Sequence, residues 1–221
     1  MTIELVALDI AGTTVQEHGA VYETLEAAVS AAGARVSAAD VAQWMGADKH
    51  EAIRALLGGQ VSDEEVARVH DDFRRRLDEA YGARPPQPFP GVPEALAALR
   101  TRGIRVALTT GFDRSITQPL LDGVGWGNGV LDAVVCADEV PRGRPAPYMI
   151  FRAMELTGVR DVGRVLTAGD TVLDLQAGAN AGAGAVVGVL TGKVDAATLG
   201  RVRHTHLLAS AAEVPALIDA A

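Results

Sequence analysis

The sequence predicts an α/β fold: a doubly wound, Rossmann-like parallel sheet forms the core, and a small α-helical cap is inserted after the first strand. Two observations predict it. Short apolar runs alternate with helical stretches along most of the 221 residues, which is typical of a parallel sheet covered on both faces. Residues 16–85 instead carry apolar residues three and four positions apart, with no strand pattern between them.

The core is predicted to consist of residues 1–15 and 86–221. Its strands should be the apolar runs 3–8, 105–109, 133–137, 165–168 and 185–190. Helical patterns such as 92–102 and 147–157 lie between them, and a short strand and helix are expected after Gly192. Ligands of such sheets bind at the carboxyl ends of the strands, so polar residues at those ends are the candidate functional groups.

The cap is predicted to be residues 16–85. A proline-rich linker, Arg84–Gly91, then returns the chain to the alternating pattern. The predicted cap helices are 21–32, 38–44, 49–57 and 63–81.

The composition narrows the classes of partner. The formal net charge of −8 argues against nucleic acid, because a protein that binds the phosphate backbone needs a basic face. Cys136 is the single cysteine, so a disulfide within the chain is excluded and a reducing cytoplasm is expected. The sequence has no signal-peptide pattern and no apolar run long enough to span a membrane.

Three short segments predict a site for an anion such as phosphate. The turn after Asp9 contains Gly12 and should leave backbone N–H groups free to face an anion. Thr110 and Gly111 follow a strand and offer a hydroxyl and an amide, and Arg144 adds a fixed cation before a helix.

A fourth segment adds carboxylates for a metal. Asp170 and Asp174 lie four positions apart at the end of another predicted strand. Carboxylates from Asp9 and Asp170 suit Mg²⁺, which takes oxygen ligands together with substrate phosphate; Asp174 either contributes to the metal site or orients the loop. A nucleophilic Asp9 beside a hydroxyl, a cation and Mg²⁺ indicates phosphoryl transfer through an aspartyl-phosphate.

The order of these four segments, together with the helical insert, resembles the haloacid dehalogenase superfamily over nearly the whole chain. In that superfamily a second aspartate, two residues after the nucleophile, usually protonates an alkoxide leaving group; here the position is Ala11. The usual lysine of the third motif is Arg144. With Asp9-x-Ala-Gly-Thr-Thr14 intact, both departures resemble the phosphonoacetaldehyde hydrolase (phosphonatase) branch.

The resemblance to phosphonatases implies a Schiff base between a cap lysine and the substrate aldehyde. The pattern Met45-Gly46-x-x-Lys49 is similar to the phosphonatase cap motif and assigns that role to Lys49. The iminium accepts electrons when the P–C bond breaks, so the leaving group is an enamine that needs no acid at Ala11. The implied substrate is phosphonoacetaldehyde or a related 2-oxo-alkylphosphonate.

The resemblance also implies the remaining roles and a homodimer formed through the cap. Mg²⁺ would be held by Asp9, the backbone carbonyl of Ala11, Asp170 and Asp174, and the substrate by Gly12, Met45, Thr110, Gly111 and Arg144.

Three departures from the phosphonatase pattern fall on the carbonyl half of the substrate. Ala52, Phe112 and Ala20 stand where that branch has a histidine, a tyrosine and a cysteine. They favour a relative of phosphonoacetaldehyde as the substrate. Two alternatives also stay open: a haloacid dehalogenase-type phosphatase acting on small phosphate monoesters, and a catalytically inactive protein that binds a phosphorylated metabolite.

Overall fold

The structure, a computed structural model, describes residues 2–127 and 129–220. In chain order its elements are β1 (Leu5–Asp9), β2 (Val15–Gln16), α1 (Ala20–Ala31), α2 (Ala38–Ala42), α3 (Lys49–Leu56), α4 (Asp63–Ala83), β3 (Gln87–Pro88), α5 (Val92–Thr101), β4 (Arg105–Thr110), α6 (Arg114–Gly123), β5 (Ala133–Cys136), α7 (Tyr148–Thr157), β6 (Val165–Gly169), α8 (Val172–Ala181), β7 (Ala185–Val189), α9 (Ala196–Leu199), β8 (His206–Leu208) and α10 (Val214–Asp219). Among the described residues, none of these helices has the length and apolar character required to cross a bilayer.

A six-stranded sheet in the order β5-β4-β1-β6-β7-β8 forms the centre of the molecule. Every neighbouring pair is parallel, and Asp9 at the end of β1 is in register with Thr109 of β4. The predicted parallel α/β sheet is thus confirmed. Because β1 lies between β4 and β6, the carboxyl ends of these three strands meet at one edge, where a ligand would bind.

Side chains of the strands alternate between the two faces of the sheet. Val6 and Leu8 of β1 belong to a large apolar cluster that includes Leu96 of α5. Leu5 belongs to a second cluster, with Met149 of α7. Alternation of this kind buries both faces of the sheet, and it accounts for the continuous apolar runs by which the strands are recognised in the sequence.

Helices α1 to α4 follow one another without a strand between β2 and β3, as the sequence predicts for the cap. Three of them begin at a capping side chain, from Ser37, Asp48 and Ser62 respectively, which accepts a hydrogen bond from a backbone N–H that the first turn leaves without a partner. We use "cap" for residues 16–85; the division into core and cap stays a prediction.

A short antiparallel pair joins the two segments that connect cap and core. Val15 of β2 pairs with Pro88 of β3, and Gln16 pairs with Gln87. The sequence predicts only a stiff linker here, because two residues are too few to show the alternation that marks a strand.

Candidate active site

Three buried carboxylates converge at the carboxyl edge of the sheet. Asp9 is the last residue of β1, Asp170 follows β6 directly, and Asp174 lies in the first turn of α8. One carboxylate oxygen from each lies within 4.8 Å of the others. The structure therefore brings together the three acidic side chains that the sequence proposes as metal ligands.

Arg144 joins two of these carboxylates. Its Nη1 lies 2.7 Å from Oδ1 of Asp9 and 2.8 Å from Oδ1 of Asp174. Its Nη2 donates to the backbone carbonyl of Thr109 over 2.9 Å and to the Thr109 hydroxyl over 2.6 Å. The guanidinium is buried and donates three hydrogen bonds, to Asp9 and to two oxygens of Thr109, besides its ion pair with Asp174. Several donors in one plane suit this arrangement.

The local electrostatics favour a cation. Burial raises the pKa of Asp9 to about 7; the charge of Asp174 adds to this effect and Arg144 opposes it. Burial also raises the pKa of Asp170 well above its ordinary value, reinforced by the charges of Asp9 and Asp174. A bound cation would offset this repulsion, because the three carboxylates, when ionised, carry more negative charge than Arg144 balances. Carboxylate oxygens in such a group fit Mg²⁺.

Two glycines leave space around Asp170. A Cβ on Gly12 would lie 2.5 Å from Oδ2 of Asp170, and a Cβ on Gly192 would lie 1.8 Å from the same oxygen. Gly12 also has φ +91°, a conformation that other residues rarely adopt. Any other residue at either position would displace the carboxylate.

Two hydroxyls that the sequence analysis does not single out orient the acidic groups. Thr13 donates to Oδ1 of Asp170 over 2.8 Å. Thr171 donates to Oδ2 of Asp174 through its hydroxyl over 2.5 Å and its N–H over 3.0 Å. The Thr171–Asp174 pair is a capping box, a sequence signature that could have been recognised from a threonine followed three residues later by an acid.

The prediction of free backbone N–H groups in the turn after Asp9 is wrong for Gly12, Thr13 and Thr14. The Gly12 N–H donates to the carbonyl of Val15 over 2.9 Å, and the N–H groups of Thr13 and Thr14 donate to the carbonyl of Ile10. The tight turn uses these donors within itself. Thr110 and Gly111 line the same small cavity as Asp9.

A small cavity of about 20 Å³ lies between Asp9 and the cap. Lys49, the first residue of α3, reaches it with a buried side chain. Met45, predicted to bind substrate, is half-buried in the preceding loop and is not among the described residues that form the cavity; its neighbour Gly46 is. The cavity is lined by Asp9, Ala11, Val21, Tyr22, Gly46, Lys49, Thr110, Gly111, Phe112 and Thr171.

The amine of Lys49 has few polar partners. Its Nζ donates to the carbonyl of Ala47 over 2.8 Å and lies 5.4 Å from the centre of the Phe112 ring. Burial lowers the pKa of Lys49 to about 8, against the opposing charges of Asp48 and Asp9. An appreciable fraction of the amine is then neutral in mildly alkaline solution, as a nucleophilic lysine requires.

The cap loop closes tightly on the core around this cavity. A Cβ on Gly111 would lie 2.4 Å from the carbonyl oxygen of Ala47, and a Cβ on Gly46 would lie 2.5 Å from Oγ1 of Thr171. Backbone from the cap is therefore in direct contact with backbone and side chains of the core. Closure of this kind excludes water from a reacting centre.

Comparison with known proteins agrees with this arrangement. The family model for haloacid dehalogenase-like hydrolases matches residues 3–182. The chain belongs to this family of hydrolases. It is also 34% identical to the phosphonoacetaldehyde hydrolase of Bacillus cereus over 212 residues, which cover 88% of this chain and 78% of that protein.

Solved structures show the same fold as this haloacid dehalogenase-like hydrolase. A phosphonoacetaldehyde hydrolase-like protein from Oleispira antarctica aligns with a TM-score of 0.86 and 24% identity, covering 100% of this chain and 92% of that one. A candidate phosphoglycolate phosphatase from Lactobacillus delbrueckii subsp. bulgaricus aligns with a TM-score of 0.79 and 20% identity, covering 99% of both chains.

A second cavity of about 150 Å³ adjoins the first in this hydrolase. The two share Ala11 and Tyr22 as wall residues. Burial raises the pKa of Tyr22 well above its ordinary value, and the charge of Asp170 adds to the effect. The second cavity is lined by Ala11, Gly12, Gln16, Glu17, His18, Gly19, Tyr22, Phe89, Asp170, Thr191, Gly192 and Lys193.

Proposed function

We propose that this protein is a Mg²⁺-dependent hydrolase that cleaves the P–C bond of phosphonoacetaldehyde or a related 2-oxo-alkylphosphonate. One observation carries the proposal: Lys49 is buried in the same small cavity as Asp9. In a phosphate monoesterase a buried lysine serves as a cation for phosphate and need not be neutral. An enzyme that forms an imine with its substrate requires an amine that is partly neutral, which the lowered pKa of Lys49 provides.

The first chemical step belongs to Lys49. Its neutral amine adds to the substrate carbonyl, and loss of water gives an imine that is protonated on nitrogen. The pKa of about 8 supports this step, because burial removes much of the preference for the charged amine. The protonated imine then withdraws electrons from the adjacent carbon, which bears the phosphonate.

The second step belongs to Asp9. Its carboxylate oxygen attacks phosphorus, the P–C bond breaks, and the electron pair of that bond moves into the enamine held by Lys49. Protonation and hydrolysis of the enamine release the aldehyde or ketone. Water then hydrolyses the aspartyl-phosphate to release inorganic phosphate and regenerate Asp9.

The phosphonate oxygens are assigned to Thr110, Gly111 and Arg144. Thr110 and Gly111 line the cavity beside Asp9, and Arg144 lies against the carboxylate that attacks. The candidate metal ligands are Asp9, the backbone carbonyl of Ala11, Asp170 and Asp174. Bound Mg²⁺ would neutralise charge on the phosphonate and on the attacking carboxylate.

Borohydride trapping tests the proposal. The protein is incubated with phosphonoacetaldehyde and Mg²⁺ and reduced with sodium borohydride, and the adduct is mapped by peptide mass while released phosphate is measured. We expect an adduct on Lys49 together with phosphate release. Lys193, the other lysine of the sequence, lines the second cavity with its Nζ 5.3 Å from the centre of the Tyr22 ring. It serves as an internal comparison that should be modified far less than Lys49.

Lys49→Arg is the matched variant, since arginine keeps the charge and cannot form the imine. It should release no phosphate from phosphonoacetaldehyde. Full activity in this variant would exclude the imine mechanism. Hydrolysis of aryl phosphates that does not depend on Lys49 would instead favour a phosphate monoesterase, and stabilisation by phosphate without any turnover would favour a metabolite-binding protein.

A further inference from the structure

Tyr22 occupies a position that the proposed reaction leaves without a role. It lies in the first turn of α1 and forms the wall between the two cavities, together with Ala11. On one side it faces the cavity that contains Asp9 and Lys49. Its side chain is therefore in the right place to contact the part of a substrate that lies beyond the phosphorus.

The start of α1 is fixed by a buried carboxylate. Glu17 accepts hydrogen bonds from the N–H of Gly19 over 3.1 Å and from the N–H of Val21 over 2.9 Å. Glu17 itself is buried. Each of its two carboxylate oxygens accepts from one backbone N–H, on either side of Ala20. This contact anchors the turn that carries Tyr22, which lines both cavities together with Ala11.

The polar side chains of the small cavity differ in what they can donate. Asp9 is an acceptor when ionised. The Thr110 hydroxyl accepts from the N–H of Phe112 over 3.1 Å, and its proton is assigned to the phosphonate oxygens. Lys49 is assigned to the carbonyl carbon. A phenol is protonated at neutral pH and is a hydrogen-bond donor, so Tyr22 supplies a neutral donor on the cap side of the cavity. The small side chain of Ala11 leaves room for a ligand atom beside it.

We propose that the Tyr22 hydroxyl donates a hydrogen bond to the oxygen on the second carbon of the substrate, and that it thereby selects phosphonates oxygenated at that carbon. This inference rests on the proposed function, because it assumes that a phosphonate binds beside Asp9. Tyr22 is a specificity-determining residue in this scheme. The same contact would stabilise that oxygen while the amine of Lys49 adds to its carbon.

The test compares the binding of two phosphonates that cannot form an imine. 2-Hydroxyethylphosphonate carries an oxygen on the second carbon, and ethylphosphonate lacks it. Binding of each to the full chain is measured by calorimetry with Mg²⁺ present. We expect the wild type to bind 2-hydroxyethylphosphonate about three- to tenfold more tightly, the effect of one hydrogen bond, and Tyr22→Phe to lose this preference.

Tyr81→Phe is the control. Tyr81 carries a buried hydroxyl in α4 and lines neither cavity among the described residues, so its removal should leave the preference unchanged. A preference that persists in Tyr22→Phe, or a wild type that binds both ligands equally, overturns the assignment of Tyr22 even where phosphonoacetaldehyde is cleaved. A wild type that binds neither phosphonate also overturns this assignment, whereas the proposed function is overturned separately, by the absence of both trapping at Lys49 and phosphate release.

Discussion

The Nη1 of Arg144 lies 2.7 Å from the Oδ1 of Asp9, and both side chains are buried. The same nitrogen lies 2.8 Å from Oδ1 of Asp174. The cation thus connects the end of β1 to the first turn of α8 across the carboxyl edge of the sheet. It holds the proposed nucleophile in place and offsets part of the charge repulsion between two carboxylates.

Removal of this cation should destabilise the protein. In Arg144→Gln, Asp9 and Asp174 lose their common partner while staying buried, and breaking a buried ion pair costs about 3–5 kcal/mol. We expect a loss of that order in the free energy of unfolding, measured by urea titration, together with loss of phosphate release.

Arg142→Gln is the control, because Arg142 lies in the same loop with an exposed side chain. It should change the free energy of unfolding by less than about 0.5 kcal/mol. Equal stabilities for the two variants would contradict the role of Arg144.

Lys49 should make stability depend on alkaline pH. Its pKa is about 8 in the folded protein against an ordinary 10.5, so the unfolded chain holds the proton more tightly. Between these two pH values the unfolded state binds more protons, and the free energy of unfolding therefore rises with pH. Below pH 8 Lys49 is charged in both the folded and the unfolded state, and burial of this charge lowers the free energy of unfolding by about 3 kcal/mol.

Lys49→Met isolates this contribution, because methionine keeps the length of the side chain without the charge. We expect the variant to be more stable than the wild type below pH 8 and the difference to disappear by about pH 10.5. Urea titrations of both proteins across that range measure it, and Lys193→Met, at an exposed lysine, should follow the wild type. A difference that does not change with pH would show that Lys49 is charged and well solvated in the folded state.

The parallel sheet and the cap helices could be predicted because they depend on local pattern. Strands buried on both faces are apolar runs, and α1 and α4 pack through apolar residues at helical spacing such as Leu25 and Phe73. The observed bounds differ from the predicted ones by one or two residues at most helix ends, as in α4, which ends at Ala83. Because parallel strands end at the same edge of a sheet, the convergence of Asp9, Thr110 and Asp170 could be predicted without knowing any side-chain contact.

The contacts that organise the site depend on residues distant in sequence, and pattern alone does not reveal them. Arg144 and Asp9 are 135 positions apart, so their ion pair follows from the packing of a loop against β1. An aromatic residue on an apolar helix predicts a core position, so the place of Tyr22 in the wall of both cavities is not evident from the pattern. The glycine-containing turn predicts free N–H groups, but the partner of the Gly12 N–H, the carbonyl of Val15, depends on a turn geometry that the sequence leaves open.

Magnesium should bind in competition with protons. Burial raises the pKa of Asp9 to about 7 and that of Asp170 well above its ordinary value, so binding of the cation to ionised carboxylates releases protons. We expect the apparent Mg²⁺ affinity to fall below pH 7, by up to about tenfold per pH unit for each proton released. The increase in melting temperature on adding Mg²⁺ at several pH values measures this. Asp170→Asn should abolish the increase, and an affinity independent of pH would contradict the assignment of these ligands.

The contact between the cap loop and Gly111 should be necessary for activity. A Cβ on Gly111 would lie 2.4 Å from the backbone carbonyl oxygen of Ala47, so in Gly111→Ala the loop that leads into Lys49 must move away from Asp9. A displacement of about 1 Å at a reacting centre can lower the rate by about 100-fold. We expect a loss of that order in kcat/KM for phosphonoacetaldehyde and slower borohydride trapping at Lys49.

Gly82→Ala makes the same chemical change in α4, where nothing lies within 4 Å of the added carbon. This control should keep full activity and gain about 0.5–1 kcal/mol in stability. Unchanged activity in Gly111→Ala would mean that catalysis does not require the closed position of the cap loop.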